Sequence, residues 1–154
     1  MTVLHQIFIM IITLGVLVAF HEYGHYWVAR RCGVKVLRFS IGFGNTLFSW
    51  KDKNSTEFVI AALPLGGYVK MLDEREEPVS DEEKPYAFNN KSVLQRIAIV
   101  SAGPIANFVL AVVVYWIVFL NGTIGLVPEI YSVKPGSIAD NAGLVPGLEI
   151  IRVD

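Results

Sequence analysis

The chain holds one cysteine, Cys32, and three histidines in 154 residues. A single cysteine excludes an internal disulfide framework and a cysteine-built metal site. Cys32 itself reads as a small, partly buried side chain near a helix end. Charge of either sign is not in excess, with 13 Lys and Arg against 14 Asp and Glu, so nothing favours nucleic acid as a partner. No Lys or Arg precedes the first apolar run and no small-residue cleavage site follows it, which argues against a cleaved signal peptide. Internal repeats and low-complexity tracts are also missing.

Apolar residues, by contrast, are abundant. They make up 53% of the chain, and the mean hydropathy is +0.50, too high for an ordinary soluble domain. Two stretches exceed the ~20 residues that cross a hydrocarbon core. The first runs from Val3 to Ala29, and the second from Ser92 to Leu120 with its apolar core at Ile97–Leu120. Eleven of the thirteen Lys and Arg lie between Arg30 and Arg96; the others are Lys134 and Arg152. The positive-inside rule then places the joining segment, 30–96, in the cytoplasm and the region after Leu120 outside. A multi-pass protein of the lipid bilayer is expected.

Within the first apolar stretch, Val3–Phe20 carries only His5, Gln6 and Thr13 as clearly polar side chains, and His21-Glu22-Tyr23-Gly24-His25 follows. Ionisable groups at membrane depth are costly and mark functional sites. H-E-x-x-H on a helix sets both histidines on one face, where one metal ion can bridge them. Zn2+ suits two imidazoles plus a carboxylate or water. His21 and His25 are the candidate metal ligands, and Glu22 is the candidate catalytic base that takes a proton from the attacking water. Catalytic zinc usually has three protein ligands. His5 is more than four turns from His21 on the same helix and reads as interfacial. Asp73 and the neighbouring carboxylates have no spacing that supports ligation, so the third ligand is expected to be missing from this sequence.

Between the helices, Val34–Phe39 and Phe58–Ala62 are β-prone, and glycines cluster at Gly42, Gly44, Gly66 and Gly67. This pattern predicts short hairpins lying against the membrane or partly entering it. An edge strand near the metal could hold a substrate by strand addition, or the hairpins could be a packing sheet alone. Asp73–Lys84, with seven carboxylates, reads as a solvated loop. Asn90 or Ser92 is a plausible N-cap for the second helix. In that helix, Ser101–Asn107 carries small residues, Pro104 and Asn107. Pro104 is expected to kink the helix or open its hydrogen-bond ladder. The segment could be helix packing or a polar wall beside the metal. After Leu120, Val127–Val133 could be a strand. A turn, a short helix ending at Gly143, a turn at Pro146-Gly147 and a final strand follow from the punctuation.

These residues resemble the site-2 protease family of intramembrane zinc metalloproteases. The resemblance rests on HEYGHYWVARRCGVKVLRFSIGFG at His21–Gly44, PLGGYVKMLDE at Pro64–Glu74, AFNNKSVLQR at Ala87–Arg96 and AGPIANF at Ala102–Phe108. It implies that His21 and His25 bind zinc and that Glu22 is the base. It also implies that Gly42, Gly44, Gly66, Gly67, Tyr68 and Asn107 lie against an unfolded substrate segment. The implied substrate is a transmembrane protein such as an anti-sigma factor or a signal-peptide remnant, in a bacterial inner membrane. Residues after about Gly125 resemble the start of a periplasmic PDZ domain.

The expected fold class is thus an α-helical membrane protein: two transmembrane helices, an intervening cytoplasmic, membrane-associated β-hairpin region and the beginning of a PDZ domain. Its expected divisions are 1–32, 33–91, 92–122 and 123–154. The family's third zinc ligand is an aspartate on a later transmembrane helix, which nothing here matches, and the sequence stops within the PDZ start. A fragment or a truncated protein is expected, with a weak two-histidine site and little proteolysis of its own. The alternatives are a non-catalytic membrane adaptor with a PDZ-like peptide-binding module, and a membrane-anchored zincin whose site faces water. The apolar flanks of HEYGH argue against the latter.

Overall fold

The computed structural model describes residues 2–122 and 128–150. It divides into two compact units, Met1–Tyr115 and Trp116–Asp154.

Helix α1 spans Val3–Arg31 and is long and apolar enough to cross a membrane. Its end is set by Gly33, whose φ of 69° is costly for any residue with a Cβ. Gly33 N donates to Arg30 O and Val34 N to Ala29 O, at 3.1 and 2.9 Å. That crossed pair satisfies the last carbonyls of the helix, and Val34 packs beside Ala29 in the buried core. Cys32 is half-buried at this C-cap, as its place in the sequence suggested.

Strands β1 (Val36–Lys51) and β2 (Glu57–Met71) pair antiparallel, and both are longer than the β-prone runs alone suggested. Each strand folds back on itself. Residues 36–41 lie antiparallel to 67–71, with Val36 opposite Met71 and Ile41 opposite Gly67. Residues 46–51 lie antiparallel to 57–61, from Thr46 opposite Ala61 to Lys51 opposite Glu57. A third ladder joins Arg38 to Glu57 and Ile41 to Ile60, rising together on both sides, so this inner pair runs in the parallel sense. The limb 36–41 is therefore central, and 67–71 forms an edge. Gly42 and Gly44, at φ 92° and 84°, make the turn inside β1. Val34, Val36, Ala29 and Ile99 form the buried core, with Tyr26, Val69, Met71 and Phe88 against it. Tyr26, Phe39 and Phe58 pack edge-on or tilted beside that core, and Trp50 stacks on Phe58.

The acidic loop is less uniformly solvated than its composition suggested. Asp73 is buried, and Arg75 grips its carboxylate through Nε at 2.8 Å and Nη2 at 2.5 Å. Those hydrogen bonds hold the Asp73 carboxyl below the usual carboxylate range. Helix α2 spans Val93–Leu120 and is also of membrane-crossing length. Ser92, not Asn90, caps it: Gln95 N donates to Ser92 Oγ at 3.3 Å and Ser92 N donates to Gln95 Oε1 at 3.2 Å. This reciprocal pair is a capping box. Asn90 is engaged instead with Glu74 and the Lys84 carbonyl. Pro104 sits inside α2, which continues through it.

The two helices touch closely at Gly24. A Cβ there would strike the Ala102 carbonyl oxygen and come within 2.8 Å of Ala106 Cβ. Gly15, on the same helix, has nothing within 4 Å of its Cβ position. Alanine at position 15 is expected to stabilise the protein by up to ~1 kcal/mol through helix propensity. The same change at position 24 is expected to cost ~1–3 kcal/mol through overpacking. Unfolding in detergent micelles reads both, and equal shifts of one sign would overturn the close contact.

In the second unit, Ser137 Oγ accepts from Asp140 N at 3.2 Å and caps α3, Ile138–Asn141. Gly143, at φ 79°, follows the helix, and Gly147, at φ 90°, marks the second turn, both where the punctuation put them. The strand expected over Val127–Val133 is not formed across its described residues. One antiparallel bridge, Glu129 to Glu149, stands in its place. Beside that bridge Ile130 N donates to Leu148 O and Ile150 N to Pro128 O, and Tyr131 is 94% exposed. Val127 and the last four residues of the expected final strand lie outside the described residues.

Candidate metal centre

His21 and His25 are one helical turn apart on α1, so their rings project from one face. Their Nε2 atoms approach to 3.2 Å. Two nitrogens that close are near enough together to be ligands of one zinc ion. The rings are held from behind. His25 Nδ1 lies 2.7 Å from the Ile99 carbonyl oxygen of α2. Asn107, also on α2, brings its side-chain amide within 3.5 Å of His21 Nδ1. Imidazole ligands are commonly oriented by a hydrogen bond at the ring nitrogen that does not face the metal. The donor set and its spacing therefore fit zinc. Among the described residues, no group of three His, Cys, Asp or Glu side chains is placed around one point.

Ile99, Gly103 and Asn107 recur at every fourth position and form one stripe of α2. Gly103 is buried directly over the two rings. A Cβ there would be 2.7 Å from His21 Nε2 and would collide with His25 Nε2. Neither Gly103 nor the Ile99 carbonyl stood out in the sequence as a site group. The signal was the four-residue repeat of a glycine and an asparagine beside a proline in an apolar helix. In the segment Ser101–Asn107, Ala102 and Ala106 pack against Gly24, while Gly103 and Asn107 face the histidines.

Glu22, half-buried, lines two openings. A cavity of about 680 Å³ is bordered by Glu22, His25, Gly67, Tyr68, Lys70 and Asp73, among others. A second, of about 350 Å³, is bordered by His21, Glu22, Phe43, Gly66, Gly67 and Asn107, among others. The edge limb of β2 passes tightly over the helix here. A Cβ on Gly67 would be 2.6 Å from Ser40 O, 2.9 Å from Glu22 Cγ and 3.1 Å from Val18 Cγ1. Tyr68 stacks against Phe43 with centroids 6.2 Å apart and takes a 3.3 Å hydrogen bond from Arg38.

Of the expected substrate-contacting residues, Gly66, Gly67, Tyr68 and Asn107 reach the borders of these openings. Gly42 and Gly44 do not border them. Gly42 is packed under the Leu63 and Ala61 carbonyls, at 2.8 and 3.0 Å from its Cβ position, and both glycines serve the β1 turn. Asp73, weighed as a ligand, borders the larger cavity but is tied up by Arg75.

The helix that carries HExxH is thus clasped by a second helix of membrane-crossing length, with a strand edge beside it. Residues 9–149 match Peptidase family M50, and the chain belongs to that family. A regulator of sigma-E protease from Salmonella typhimurium (strain LT2) is 55% identical over 154 residues, covering 100% of this chain and 34% of the relative. The regulator of sigma-E protease RseP of Escherichia coli (strain K12) is 58% identical over 144 residues, covering 94% of this chain and 32% of the relative. A Xylella fastidiosa (strain Temecula1) protein named as a zinc metalloprotease is 55% identical over 154 residues, covering 98% and 34%. The chain thus spans about a third of the length of these relatives.

Proposed function

We propose that this chain carries the histidine pair and the general base of an intramembrane zinc endopeptidase. The observation that supports this most is the pair of Nε2 atoms at 3.2 Å, each ring backed at Nδ1 by a group of α2. Bound at His21 and His25, zinc would supply Lewis acidity toward a peptide carbonyl and acidify the attacking water. The Glu22 carboxylate takes the proton of that water and delivers it to the leaving amide nitrogen. A third protein ligand, an aspartate by family resemblance, comes from outside the described residues.

The substrate is a transmembrane segment of a membrane-anchored regulator such as an anti-sigma factor, or a signal-peptide remnant. Gly66, Gly67 and Tyr68 hold it as an added strand on the 67–71 edge, whose backbone is paired on one side only among the described residues. The narrow pass at Gly67 brings such a strand beside Glu22. The protein sits in a bacterial inner membrane with residues 30–96 on the cytoplasmic side. The domain divisions are 1–32, 33–91, 92–122 and 123–154, the last opening a periplasmic PDZ-like module.

The test is reconstitution of the full-length protein in lipid vesicles with a substrate helix. Cleavage is expected to stop on chelation and return with added Zn2+. Cleavage that persists after the zinc is shown to be gone would sink the proposal.

A further inference from the structure

Asn107 has a hydrogen-bonding problem that the rest of the site resolves. Its Oδ1 is buried and has no hydrogen-bond partner, while its Nδ2 lies 3.5 Å from His21 Nδ1. Turning the amide by half a rotation exchanges two groups of nearly equal size. The buried acceptor then meets a ring nitrogen that can donate to it.

We infer that Asn107 is a positioning residue: its side-chain carbonyl accepts the Nδ1–H of His21 and so aims the Nε2 lone pair of that ring at the metal position. The inference rests on the metal reading of the site. The neighbouring ring narrows the choice. Ile99 O can only accept, so His25 Nδ1, 2.7 Å away, carries a hydrogen, and neutral His25 presents a bare Nε2. His21 has two choices. With its hydrogen on Nε2, it would donate to His25 Nε2 across the 3.2 Å gap and close the pair to any ion. With its hydrogen on Nδ1, two lone pairs face each other, an arrangement that is repulsive until a cation lies between them. The second state is the one that also satisfies Asn107 Oδ1. Asn107 Oδ1 and Ile99 O therefore act alike on the two rings from one stripe of α2, each accepting an Nδ1–H and favouring the tautomer whose Nε2 lone pair can take a metal.

The experiment uses the full-length protein in detergent, stripped of metal and titrated with Zn2+ against a chromogenic chelator. Asn107→Leu keeps the branched shape, with bulkier methyl groups, and removes the acceptor; Asn107→Asp keeps the acceptor. Zinc affinity is expected to fall about 10–100-fold in the leucine variant, with most of the loss restored in the aspartate variant. Equal affinity in wild type and Asn107→Leu overturns the inference. Nitrogen NMR of labelled histidine in the metal-free wild type gives an independent readout that no folding defect can confuse. A His21 proton found on Nδ1 supports the positioning role, and one found on Nε2 overturns it. A wild-type protein that takes up no Zn2+ defeats the metal reading itself, a different result from either variant's behaviour.

Discussion

Alanine at position 103 is expected to leave the helix pair folded and strip it of zinc. Gly103 is buried against the two imidazoles, and an added Cβ would stand 2.7 Å from His21 Nε2 and 2.7 Å from His25 Cε1, with a harder collision at His25 Nε2. These separations approach the ~2.0–2.1 Å of a zinc–nitrogen bond, so the methyl group competes for the space an ion would fill. The rings can give way more easily than the backbone. If they swing aside, His25 loses its 2.7 Å contact with the Ile99 carbonyl, and the 3.2 Å spacing is lost with it. Helix propensity works in the opposite direction, favouring alanine over glycine by up to ~1 kcal/mol. Global stability should therefore change little. Zinc affinity is expected to fall at least ~100-fold, about 2.8 kcal/mol, and proteolysis with it. Metal content by mass spectrometry and thermal unfolding in micelles separate the two effects. A variant that folds and keeps wild-type zinc would show that α2 does not wall the site in this way, and one that unfolds would show that the rings cannot yield to the added methyl group.

This expectation could not have been formed from the sequence alone, and the reason is physical. The HEYGH spacing and the two apolar runs are local signals, and they located α1, α2 and the facing histidines to within a residue or two. Gly103 carries no local signal of its own, because its role exists only once α2 lies across α1. Gly24 opposite Ala102 makes that crossing close enough for a glycine and an asparagine to reach the rings. The sheet is harder to read. Residues 38–41 sit in two ladders at once, one with 67–70 and one with 57–60. No periodicity along a single run encodes a double pairing, so propensity alone does not mark residues 45–51 and 64–71 as strand. Gly42 and Gly44 look alike with Gly66 and Gly67 as turn glycines. Only the fold shows that the first pair shapes a bend while the second pair borders the site. Ser92 over Asn90 as the cap is decided by Gln95, three residues on, the one partner that can return the hydrogen bond.

Glutamine in place of Glu22 is expected to keep zinc and lose catalysis, by about 10²–10⁴-fold if the carboxylate acts as the general base. Glu22 follows His21 by one residue, so its side chain leaves α1 about 100° around from that histidine. It borders both openings beside the rings, under the strand edge at Gly67. A substrate strand laid on that edge would bring a peptide bond within reach of the carboxylate and of the histidine pair together. Glutamine fills the same volume, leaving Gly67 and Val18 packed as before. Its amide, however, cannot take a proton from the attacking water. Zinc content therefore distinguishes the two roles a glutamate can have in such a motif. If Glu22→Gln retains zinc while turnover collapses, Glu22 is the base. If zinc is lost with activity, Glu22 is a ligand, and the need for a third ligand from elsewhere in the protein falls away. If turnover stays within tenfold of wild type, another group carries the proton. Asp73 is a poor candidate for that role, because Arg75 holds its carboxylate and depresses its basicity even though it borders the same cavity.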